Sequence, residues 1–144
     1  MKHSFQAIAL TLTLAWGWLF ASAPVALAAE VAEKTVIPAT IEGVWQAIDA
    51  KSAELKKTID SGALKEVHHH AFAIRDLVAA LPSKSSALSA ENLAKVKTGV
   101  KFVATLAERL DAAGDAKDAA GTQQNFEKLK TVLASLRADY SISK

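Results

Sequence analysis

An all-α fold, an up-down-up-down four-helix bundle preceded by a cleaved signal peptide, is predicted for this chain of 144 residues. Three observations lead there. Apolar residues recur at three- and four-residue steps in four segments rich in Ala, Leu, Lys and Glu. Short links marked by Gly, Pro or Ser separate those segments, and helices joined by short links pack as antiparallel neighbours. No run alternates polar and apolar residues as a strand would. The expected organisation is a signal peptide over residues 1–28, an N-terminal tail over 29–39 and the bundle over 40–144.

The first segment reads as an export signal. A basic start of Met1, Lys2 and His3 leads into AIALTLTLAWGWLF and then into the small residues of ASAPVALAAE. Ala26-Leu27-Ala28 is the expected cleavage motif, cutting before Ala29, because Ala21-Ser22-Ala23 is followed by Pro24. The apolar run falls short of the roughly 20 residues a spanning helix needs, so no membrane span is expected after cleavage. The expected fate is export from the cytoplasm. Cleavage leaves 116 residues, a length for one domain, with 16 basic and 15 acidic side chains. That near-balance, with no block of like charge, argues against a nucleic-acid partner.

Helix one opens on Thr40 as N-cap, carries Ile41, Val44, Trp45, Ile48, Leu55 and Ile59 on one stripe, and stops at Gly62. Helix two places Leu64, Val67, Ala71, Ile74, Val78 and Leu81 on its stripe and ends before Pro82. Ser89 caps helix three, with Glu91 in the first turn and Leu88 and Leu93 spaced as a hydrophobic staple. Its stripe is Leu93, Val96, Val100, Val103, Ala107 and Leu110, and Gly114 stands where a C-terminal cap is expected. Helix four starts near Asp118 and carries Thr122, Phe126, Leu129, Leu133, Leu136 and Tyr140. Each helix is expected to run roughly 20 residues, about 30 Å. Helices two and four share a register, so that His68, His69 and His70 correspond to Gln123, Gln124 and Asn125, a polar girdle at one level.

The missing residue types narrow the chemistry. The chain has no Cys, which removes disulfides, covalent haem, thiolate metal sites and Cys nucleophiles. Met1 is the sole Met, so thioether ligation is absent from the mature chain. Any transition-metal site must use imidazole and carboxylate. All the imidazoles of the mature chain stand together in EVHHHAFAIRDL: His68, His69 and His70. With Val67 facing the core, His70 lies about 60° to one side, His68 about 100° to the other, and His69 points outward. One helix therefore cannot aim all three at a single ion. Glu66, four residues before His70, is the expected carboxylate partner on that flank. The same three residues also fit a pH-sensing role or a plain solvated bundle edge, and clustered imidazoles favour their neutral forms.

Two further groups carry alternatives. Asp111, Asp115 and Asp118 lack the spacing of a calcium loop, and the latter two read as helix-start caps. Phe72 and Phe102 fall outside their stripes, and each either widens the core or forms a sticky patch. No catalytic set emerges: no Ser is paired with a His, there is no phosphate-cradling Gly loop, and no carboxylate pair stands in an apolar setting. An enzyme is not expected.

EVHHHAFAIRDLVAALP together with KFVATLAERLDAAGDAKDAAGT resembles a group of small exported helical proteins, mostly uncharacterised, that occur in proteobacteria alongside heavy-metal efflux systems. The resemblance covers most of residues 41–140 and implies a periplasmic location and a part in metal tolerance. More distantly, the architecture is similar to the periplasmic b-type and c′-type bundle cytochromes. This chain lacks their CxxCH, their Met ligand and a His near the end of the last helix. The principal reading is a non-catalytic bundle that binds copper, zinc or nickel through His68, His69, His70 and Glu66. The alternatives are an interaction or adaptor bundle, meeting a second copy or a periplasmic partner without metal, and a b-type haem carrier.

Overall fold

The computed structural model describes residues 34–141. The expected signal peptide, its cleavage point and the tail through residue 33 lie outside the described residues. Four helices form: α1 (Ile41–Asp60), α2 (Val67–Ala79), α3 (Ala90–Asp115) and α4 (Ala119–Ser141). Each packs on the next, and α4 closes against α1, which makes the up-down four-helix bundle. Among the described residues no helix is long and apolar enough to cross a membrane.

The caps explain where the helices begin. Thr40 accepts a hydrogen bond from the Gly43 amide at 3.1 Å, and Ser89 accepts one from the Asn92 amide at 3.2 Å. Asp118 takes the Gly121 amide at 2.9 Å, so α4 starts where its sequence says it should. Asp115, in contrast, sits in the last turn of α3 and caps nothing. Helix α2 has no side-chain cap; a 3-10 turn at Leu64–Glu66 leads into it, tied by the Glu66 amide to the Ala63 carbonyl at 2.9 Å. That turn shortens α2 to 13 residues, against 20, 26 and 23 for the others.

The stripes meet in one core. Val44, Ile48, Leu55, Val67, Ile74, Val78, Val96, Val103, Leu110, Phe126, Leu129 and Leu136 are all buried. Trp45 and Tyr140 sit half-buried at one end, their rings edge to face at 5.6 Å, with the Arg137 guanidinium 4.7 Å from the indole. Tyr140 also shares a hydrogen bond with buried Ser85. The chain ahead of α1 is held there too, through the Lys84 ammonium on the Ala39 carbonyl and the Thr35 hydroxyl on Asp76.

The two glycines expected to end helices do different things. Gly62 adopts φ +75°, and the Gly62 and Ala63 amides bond to Ile59 and Thr58 carbonyls, which is a Schellman stop for α1. Gly114 does not cap α3. The helix runs through it to Asp115, and the left-handed position falls on Lys117 at φ 54°, whose amide bonds to the Gly114 carbonyl while Asp118 bonds to Ala113. The reason residue 114 is a glycine is packing. A Cβ there would collide with the carbonyl oxygen of Leu64, so its absence lets the backbone of the 3-10 turn lie against the end of α3.

Opposite effects are therefore expected at two neighbouring positions. Gly114→Ala gains about 1 kcal/mol of helix propensity but forces backbone apart, a cost of about 1–3 kcal/mol, so the thermal midpoint falls. Lys117→Gly relieves a left-handed side chain and raises stability by about 1 kcal/mol. Circular-dichroism melts of the two variants check both signs.

Candidate metal site

The histidine tripeptide lies in the first two turns of α2, next to the 3-10 turn and across from α1. Val67 and Ala71 anchor this stretch in the core, so the backbone beneath the imidazoles is fixed by burial. The side chains then diverge as 100° steps require. His68 turns back along its own helix and holds Nδ1 2.7 Å from the Lys65 carbonyl oxygen. His69 points outward, with Nε2 3.3 Å from Glu66 Oε2. His70 faces α1, with Nδ1 3.2 Å from Glu54 Oε2. The His68 and His69 rings lie against one another, centroids 3.9 Å apart.

The expected pairing of Glu66 with His70 gives way to two other pairs. Glu66 belongs to a 3-10 turn rather than to α2, and the tighter winding brings it beneath the residue three positions on, His69. His70 takes Glu54 from the neighbouring helix, a residue that the reading of α2 alone misses. The signal for it is in the hairpin: Glu54 and His70 stand eight residues before and eight after Gly62, so folding the chain at that glycine sets them opposite each other.

Charge organises the same edge. Glu54 also accepts from the Lys51 ammonium at 2.7 Å, and that bond, ahead of the effect of His70, holds its carboxyl below the usual range. Burial lowers the His70 pKa, with Lys51 and His69 acting in the same direction and Glu54 opposing. His70 thus favours the neutral imidazole, the form that ligates metal. Among the described residues no three His, Asp or Glu side chains converge as a closed metal site would require. That holds for Asp111, Asp115 and Asp118 as well.

The donor atoms suit a borderline divalent ion bound by fewer protein ligands. Imidazole nitrogen with carboxylate oxygen is a set for zinc, copper or nickel. Two atoms 3.3 Å apart, as in His69 and Glu66, subtend about 105° at an ion 2.0–2.1 Å from each, close to the tetrahedral angle.

The two aromatics left open by sequence part company. Phe72 packs against the core beneath the Arg75 guanidinium, which stands 4.6 Å from its ring, and Arg75 in turn pairs with Asp76. Phe102 is 58 % exposed on α3, away from the histidines.

In chelator-treated protein, pH should reveal the setting of His70. Its folded pKa lies below the unfolded value of 6.5, so the unfolded chain takes up the proton first. The contribution of neutral His70 is present above about pH 6.5 and is lost as pH falls below it. His70→Gln is expected to flatten the fall in thermal midpoint between about pH 6.5 and 5, and an unaltered pH profile would refute the assignment.

Comparison with protein-family models, with curated proteins and with solved structures finds no match.

Proposed function

We propose that this chain is a periplasmic, non-catalytic four-helix bundle that takes up a divalent transition ion, copper, zinc or nickel, on its histidine edge and so serves metal tolerance. The observation that carries the reading is the pair of imidazole–carboxylate contacts, His69 with Glu66 and His70 with Glu54, whose 3.3 and 3.2 Å separations match the span of two ligands on one ion. Glu66 and His69 form the outward chelate. His70 and Glu54 form a second one at the α1–α2 seam, and His68 stands beside His69. Two protein ligands leave the remaining positions to water or to a receiving molecule, which gives a loose grip and rapid exchange. That suits buffering or hand-over rather than a structural site. The export-signal character of the first segment and the gathering of every mature-chain His into one tripeptide support the same reading.

A ligand that binds only the folded state must raise its stability, by about 2.7 kcal/mol at a free concentration a hundred times the dissociation constant. Thermal melts and calorimetric titration with Cu(II), Zn(II) and Ni(II) are expected to reveal such a shift. Replacing His68, His69 and His70 together by Ala should abolish it, Glu66→Gln should weaken it, and Glu54→Gln should spare the outward chelate. An unchanged melting curve with all three metals would remove the proposal.

A further inference from the structure

The second helical hairpin carries a surface that the histidine edge does not explain. Between α3 and α4 runs an open groove of about 640 Å³, lined by Lys95, Thr98, Gly99, Phe102, Val132 and Leu136 among others. Gly99 is buried under Leu136, whose side chain a Cβ at residue 99 would meet, so the floor of the groove is low at that point. Phe102 stands at its wall with most of its ring in solvent. A knob and a hollow thus lie side by side at the middle of one face.

The charges on this face are ordered along it. At 100° per residue, Glu91, Lys95, Thr98, Phe102 and Arg109 share one side of α3, and Lys128, Val132 and Asp139 share the matching side of α4. Two hydrogen bonds fix the levels: Asn92 Nδ2 donates to the Asp139 carbonyl, and Asn125 Nδ2 donates to the Arg109 carbonyl. Glu91 and Asp139 therefore occupy one end, with Lys95 bonded to Glu91 at 2.8 Å, and Arg109 and Lys128 occupy the other. Of the side chains on this face, Glu91, Asp139 and Lys95 sum to −1 and Arg109 and Lys128 to +2.

We propose that a second copy of this chain docks here, antiparallel, about a twofold axis that passes near Gly99 and Phe102. A twofold interface must complement itself, each contact occurring twice. This face does so in shape and in charge. Phe102 of each copy enters the hollow beside Gly99 of the other, and the acidic end of each lies over the basic end of its mate. Glu91 and Arg109 stand nine residues either side of position 100, so the rotation brings one against the other. The face is long enough: the 26 residues of α3 span about 39 Å, and two helices side by side are about 20 Å across. That gives roughly 800 Å² per copy, the size of a standard stable interface. The interface lies on α3 and α4 and does not depend on metal at the α1–α2 seam.

Sedimentation velocity on the purified chain in chelator tests it. A dimer is expected to form with rising concentration and to weaken as salt screens the end charges. Phe102→Asp should give a monomer with an unchanged circular-dichroism spectrum, because that ring contributes little to the core. Glu91→Arg and Arg109→Glu should each raise the dimer dissociation constant about tenfold, and the two together should restore it. A chain that stays monomeric at high concentration overturns the proposal and gives the face to another occupant. A dimer indifferent to Phe102→Asp and to the charge exchange overturns it equally.

Discussion

The bundle depends on one close approach of backbone to backbone. The carbonyl of Leu64 lies where the side chain of residue 114 would be, and only glycine permits it. That contact seats the 3-10 turn against the end of α3 and sets the point at which α2 begins. The start of α2 then decides the rotation of every residue after it, the histidines included. Because Val67 and Ala71 are fully buried a residue or two either side of them, the tripeptide cannot roll to present a different set of nitrogens without taking the core apart.

The consequence is an edge where three identical side chains meet three environments. His68 is turned to a main-chain carbonyl, His69 to a carboxylate of the 3-10 turn just before α2, and His70 to a carboxylate on another helix. Burial favours the neutral form at His70, while the outward geometry of His69 leaves it accessible to an incoming ion. A fan of this kind suits shallow, exchangeable ligation and not a closed tetrahedral cage. The other hairpin, α3 with α4, presents an apolar groove with Glu91 and Asp139 toward one end and Arg109 and Lys128 toward the other, a surface chemically unlike the histidine edge.

Much of this was legible in the residues. Thr40, Ser89 and Asp118 announce three helix starts because short polar side chains satisfy orphan amides wherever a helix begins. The apolar stripes name the core because burial follows period, as Val44, Val67, Val103 and Leu129 illustrate. Gly62 could be read as a stop, but Gly114 could not be read correctly. A glycine chosen for positive φ and one chosen for a close approach look alike in sequence. The pairing of Glu54 with His70 was hidden for a similar reason, since it depends on where the hairpin folds and not on spacing within one helix.

What the sequence determined by itself was the number and order of the helices, the composition of the core and the gathering of His68, His69 and His70 into one tripeptide on one helix. These follow from local period, capping chemistry and composition, which act within a few residues of each other. Which carboxylate meets which histidine, and which phenylalanine is covered, the tertiary structure alone decided. Phe72 and Phe102 both stand off their stripes, yet one is packed beneath Arg75 and the other faces solvent. A side chain off the stripe is covered only if a neighbouring helix happens to pass over it, and that depends on the rotation and spacing of all four helices together.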